Sequence, residues 1–155
     1  MANRPIAPVT NVDDLPALTA GELKSGREHL GLSTAWMAEK LVINERRIQR
    51  METSQEAIPA PVVTLMDDAW ADAKALYEEL NATYRRKVKA GDGHPVVLPT
   101  YRTDKESEEA GEKYPARFYR HIAARVSESC PGAIVIFRDQ LPKDYDEDKP
   151  VEVKN

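Results

Sequence analysis

Between Pro61 and Lys89 runs an apolar pattern that fits a helix and no other element. Val62, Leu65, Met66, Ala69, Trp70, Ala73, Leu76, Tyr77, Leu80, Tyr84 and Val88 recur at spacings of three and four, the period of one helical face. No Gly or Pro interrupts it after Pro61. The spacing predicts one helix over about 61–89, roughly 40 Å long if unbroken. A stripe of that length needs cover along its extent, from the rest of the chain or from a second subunit. The fold is therefore expected to be mostly α, arranged around this element.

What precedes the long helix also reads as helical, in short pieces. Thr19 with Glu22 three residues on forms a capping box, and Leu23, Arg27 and Leu30 continue one face until Gly31. Ser33 can cap a second helix and Asn44 a third. Met37, Ala38, Leu41, Ile48 and Met51 fall inward and are expected to lock the two together. Three short capped helices with tight turns suggest a helix-turn-helix, with a small residue, Ala38, at the crossing. The outward face of the helix after Asn44 then carries Glu45, Arg46, Gln49 and Arg50, with Arg47 at its margin.

The sharpest break is Gly91-Asp92-Gly93-His94-Pro95, where Pro95 blocks helix continuation. Beyond it the expected unit is a small α+β one over 94–139. Pro95–Tyr101 reads as a short strand and 103–113 as a polar, acidic connector. A helix starts at Pro115, with Phe118, Ile122, Ala123 and Val126 on one face. Ala133–Arg138, β-branched and apolar, is the strongest strand signal in the chain. Residues 1–18 read as a flexible arm, 19–90 as the helical domain, and 140–155 as a charged, solvated tail.

The segment from Leu32 to Ser54 resembles the Cro/repressor (XRE-type) helix-turn-helix, the resemblance covering about 19–80. The family pattern is a small or polar cap, two variable residues, a polar residue, Ile, a variable residue, Arg, a bulky apolar residue and Glu. Asn44, Glu45-Arg46, Arg47, Ile48, Gln49, Arg50, Met51 and Glu52 follow it without a gap. Ala57–Leu65 is similar to the "IPxPVxxL" that often follows. Two positions depart from the family. Val42 stands where the family usually has Gly at the turn, and a β-branched residue at positive φ is strained, so an altered turn is expected. Trp36 stands where a polar outward residue is usual, and packing is expected for it. Over the whole chain, Arg117-Phe118-Tyr119-Arg120-His121-Ile122 and Ile134-Val135-Ile136-Phe137-Arg138 look like the second half of phage anti-CRISPR-associated transcriptional repressors and related small bacterial regulators.

That resemblance implies a homodimer joined through Ile134, Val135, Ile136 and Phe137, binding an inverted-repeat operator in the major groove and repressing its own operon inside a bacterial host cell. In that geometry Glu45, Arg46, Gln49 and Arg50 read bases, and Ser33, Thr34, Asn44 and Arg47 position the protein on phosphates. The alternative is an antitoxin-like or adaptor protein whose C-terminal half binds another protein.

Charge tests this expectation. The 155 residues carry 22 basic and 26 acidic side chains, net −4, with mean hydropathy −0.57. An acidic average argues mildly against a nucleic-acid partner, but binding depends on where charge sits. Residues 19–54 hold six basic and five acidic side chains, 55–80 one and six, and 81–102 five and one. The acid is concentrated away from the reading face. Arg85-Arg86-Lys87-Lys89 is a second candidate phosphate contact, although cations also suit a helix C-terminus.

Other chemistry finds little footing. His29, His94 and His121 lack metal-ligand spacing, so no metal is expected. Cys130, the single cysteine, excludes an intramolecular disulfide and fits a reducing cytoplasm. Gly91-Asp92-Gly93 lacks the Gly-Lys-Ser/Thr of a phosphate loop. No nucleophile, base and orienting group assemble, no cofactor is expected, and no convergent polar residues mark a ligand pocket in the second half. No run reaches a membrane span, and no apolar leader follows Met1.

Overall fold

The computed structural model describes residues 9–147. The fold is mostly helical, with a small two-stranded parallel sheet. Its helices are α1 (Ala20–His29), α2 (Thr34–Leu41), α3 (Glu45–Glu52), α4 (Ala60–Ala90), α5 (Asp104–Glu109) and α6 (Ala116–Ser129). The strands are β1 (Val96–Thr100) and β2 (Ala133–Phe137). The chain divides inside α4 into two compact units, Met1–Trp70 and Ala71–Asn155, while the Gly91–Pro95 break marks the end of α4.

In the first unit, capping side chains fix where α1, α2 and α3 begin. The Thr19 hydroxyl accepts from the Glu22 amide while Glu22 accepts from the Thr19 amide, each at 3.0 Å. Ser33 accepts from the Trp36 amide at 3.0 Å and Asn44 from the Arg46 amide at 2.9 Å. Each cap satisfies an amide that the first turn leaves without a helical partner. Leu23, Leu30, Leu32, Met37, Ala38, Ile48, Met51, Val62 and Met66 are buried. Leu41, expected with them, is only half-buried. Gly26 lets α1 approach α4 closely: a Cβ there would lie 3.0 Å from Trp70 Nε1 and 3.1 Å from Met66 Cε.

One ion pair ties α1 to α3. The Arg27 guanidinium donates through Nε (3.0 Å) and Nη2 (2.7 Å) to the Glu52 carboxylate, and through Nη1 to the Leu32 carbonyl at 3.0 Å. The two side chains keep only 13% and 6% of their exposure, so this is a half-buried ion pair, with Glu28 Oε1 a further 3.7 Å from Arg27 Nη2.

In the second unit, β1 and β2 run parallel in the register Val96↔Ala133 to Thr100↔Phe137. A parallel pair needs a crossover, and α5 and α6 supply it. The supposed connector 103–113 therefore contains a helix. Thr103 caps α5 by accepting from the Glu106 amide, and Ser107 is its buried residue. Phe118, Ile122, Ala123 and Val126 of α6 are buried, with the Tyr114 ring stacked on Phe118 at 4.0 Å between centroids. Asp72 of α4 accepts from the Tyr114 hydroxyl and from Lys113 Nζ. Those donors hold the Asp72 carboxyl below its ordinary range, the Tyr114 hydroxyl most of all.

The expected arm and tail fall partly outside the described residues. Within them, Asn11 caps a short 3₁₀ turn at Val12–Asp14 and Leu18 is buried, so residues 11–18 are not featureless. Toward the other end, Tyr145 is half-buried and the Glu147 carbonyl accepts from Lys87 Nζ at 2.8 Å.

Candidate nucleic-acid interface

Helix α3 is eight residues long and sharply two-sided. Ile48 and Met51 are fully buried, whereas Glu45, Arg46, Gln49 and Arg50 are exposed and Arg47 is half-buried. The inward pair anchors the helix, and the remaining residues form its open face.

The turn from α2 to α3 runs through Val42, Ile43 and Asn44. Val42 itself takes the left-handed conformation, φ 54° and ψ 49°. The turn thus keeps a positive-φ residue despite its β-branched side chain. The Ile43 amide donates to the Ala38 carbonyl at 3.0 Å and closes the C-terminus of α2. Val42 is 90% exposed, so no burial offsets its backbone cost of about 1–2 kcal/mol.

Six of the eight expected contact residues have polar side-chain atoms engaged within the unit. Ser33 and Asn44 act as caps. Thr34 Oγ1 donates to Glu45 Oε1 at 2.7 Å, which fixes Glu45 beside the start of α2. Arg47 Nε donates to Glu56 Oε1 at 2.7 Å, and Arg50 Nε donates to Glu56 Oε2 at 3.2 Å. A single carboxylate after α3 thus bridges two arginines of the open face. The Arg47 hydrogen bond is the main force holding the Glu56 carboxyl below its usual value of 4.5, against the opposing effect of burial. Arg46 and Gln49 make no side-chain hydrogen bond or ion pair among the described residues.

Glu56 was missed at the level of sequence, as was the Arg27–Glu52 pair. Glu56 lies nine residues from Arg47, beyond α3, where helical spacing says nothing about contact. Trp36, expected to pack, is half-buried, and Lys40 Nζ lies 5.7 Å from its ring centroid.

No family model and no curated protein matches the chain. Among the described residues no helix is long and apolar enough to cross a membrane, and no cluster of His, Cys, Asp and Glu is arranged to hold a metal ion.

In the second unit, Arg85, Arg86 and Lys89 are exposed near the end of α4, and Lys87 is engaged with the Glu147 carbonyl. The four residues expected at a dimer contact are graded: Ile134 is 46% and Val135 38% exposed, while Ile136 and Phe137 are half-buried.

Proposed function

We propose that this chain is a sequence-specific double-stranded DNA-binding repressor of the XRE/Cro helix-turn-helix type. The observation that carries the reading is the arrangement of α2, turn and α3. A short helix is pinned from below by Ile48 and Met51 and from α1 through Arg27–Glu52, and offers Arg46, Gln49 and Arg50 outward. In this reading α3 enters the major groove with its N-terminal residues on base edges. Arg46 is the strongest candidate reader, because its guanidinium is exposed and uncommitted. A bidentate contact from it to guanine is worth about 1–3 kcal/mol of discrimination. Gln49 suits adenine. Ser33, Thr34, Asn44 and Arg47 position the backbone, and Glu45 orients the start of α2 through Thr34.

A homodimer is part of this reading, and the second unit supports it. A parallel pair of strands is normally covered on both faces, yet Ile134 and Val135 remain exposed. Joining two copies there would set two α3 helices on an inverted repeat, as autorepression of an operon in a bacterial cell requires. The same exposed strand also suits the second reading, an antitoxin-like or adaptor protein bound to another chain.

The test is binding of the purified protein to fragments upstream of its own gene across a salt series. Arg46→Ala should abolish selective binding while the dimer persists. Tight binding that ignores salt, or a stable complex with another protein that occludes α3, would overturn the proposal.

A further inference from the structure

The second unit holds an open-mouthed cavity of about 170 Å³ that the sequence did not foreshadow. Its buried floor includes Leu98, Thr100 and Tyr84, and its exposed rim is Glu112, Arg138 and Glu147. Two observations make it more than a packing gap.

The first is its charge. Arg138 is the cation of the rim, and it is already spent: Nη2 lies 3.1 Å from Glu147 Oε1. The Arg138 guanidinium also lies 5.2 Å from the Tyr101 ring centroid, so that aromatic face already accepts a cation. Glu112, by contrast, has no ion pair among the described residues. Its Oε1 accepts from the neutral Tyr101 hydroxyl at 2.9 Å. One carboxylate is left without a counter-charge. Burial is the main reason the surrounding phenols are raised, and the nearby carboxylates add to it. Burial first, then the hydrogen bond to Glu112, pushes the Tyr101 hydroxyl up to about 12, and burial followed by Glu147 does the same to Tyr84.

The second is Thr100. Its hydroxyl is buried in the floor and has no hydrogen-bond partner among the described residues. A buried unpaired hydroxyl is destabilising, and native proteins keep few of them.

We infer that this cavity binds a small organic cation, an alkylammonium whose charged head faces Glu112 and whose short apolar body lies over Leu98. The head would complete the charge balance at Glu112 and lie against the Tyr101 hydroxyl oxygen. The volume suits the size, since a cavity of about 150 Å³ holds a ligand as large as benzene. An anion is the poorer fit, because it would have to displace Glu147 from Arg138 and then face Glu112. The site lies wholly within the second unit and stands independently of DNA binding by the first.

The experiment is an amide-resolved NMR titration of the full chain with three probes of one shape: n-butylammonium chloride, sodium butyrate and 1-butanol. Butylammonium alone should shift the amides of Leu98, Thr100, Tyr101 and Tyr119, saturating at about millimolar concentration. Glu112→Gln keeps an acceptor for Tyr101 but removes the charge, and should weaken binding about tenfold without lowering Tm. Tyr101→Phe, which keeps the ring, should also weaken it. Equal or stronger shifts with butyrate or butanol would overturn the proposal. So would unchanged affinity in Glu112→Gln, or no shift with butylammonium at about 50 mM.

Discussion

Replacing Glu56 by Gln should make the protein bind DNA less selectively and more tightly. The structure gives both the direction and the size. Glu56 pairs with Arg47 at 2.7 Å and with Arg50 at 3.2 Å, so its single charge offsets part of two guanidinium charges on the open face of α3. Each guanidinium uses only Nε in these bonds and keeps its terminal nitrogens for other acceptors. In the proposed reading, what Glu56 limits is therefore phosphate attraction. A protein that neutralises one more phosphate steepens log K against log salt by about 0.9. Removing that one negative charge should steepen the slope by up to about 0.9, which at about 0.1 M salt is a rise of up to about 8-fold in non-specific affinity. Both arginines are 40% or more exposed, so the substitution should leave Tm nearly unchanged. The assay is fluorescence anisotropy on a random-sequence duplex of about 20 bp at several salt concentrations. Adding Arg47→Ala and Arg50→Ala to Glu56→Gln should return the slope to its original value or below. An unchanged slope in Glu56→Gln, with DNA binding intact, would refute this role for Glu56. The pH dependence follows with a definite sign. The folded-state value of Glu56 lies below its ordinary 4.5, so the pair is complete above 4.5 and is lost only as pH falls through the lowered value. The salt slope should accordingly be constant from about pH 6 to 8.

Other consequences concern stability. Glu52→Ala takes the main partner from the half-buried Arg27 guanidinium, which keeps the Leu32 carbonyl and Glu28 at 3.7 Å, and should cost about 1–3 kcal/mol in urea denaturation, whereas Arg27→Met with Glu52→Leu should recover much of it. Val42→Gly relieves a β-branched residue at φ 54° without losing burial, and should raise stability by about 1 kcal/mol in the same assay. Thr100→Val removes an unpaired buried hydroxyl while keeping the shape, and should raise stability by about 1 kcal/mol by thermal melting. Val135→Lys places a charge on the exposed strand and should leave a folded monomer in analytical ultracentrifugation if β2 joins two copies.

The features legible in the sequence are those whose physics is local. Thr19, Ser33 and Asn44 cap their helices because a short polar side chain reaches an amide two or three residues on. The α4 stripe is legible because its period repeats over eight turns, and β2 because Ala133–Phe137 is β-branched and apolar. Helix α5 escaped because its six residues bury only Ser107, too little for an apolar period. The Arg27–Glu52 pair spans 25 residues of sequence, and the Glu56 bridge crosses the end of α3. The cavity joins Tyr101, Glu112 and Arg138 from separate segments of the second unit. Such groupings depend on tertiary packing, which no local pattern encodes. Val42 shows the reverse: the turn was legible, but the expectation that its side chain would alter the backbone was not met, because one exposed strained residue costs less than losing the packing of α2 on α3.

The most direct measurement is selection of the full chain against a pool of random duplexes at physiological ionic strength. The account predicts enrichment of an inverted repeat whose half-sites lie about 10 bp apart, centre to centre, or a multiple of that, and loss of the enrichment in Arg46→Ala. A pool that stays random after repeated rounds, with the protein folded throughout, would contradict it.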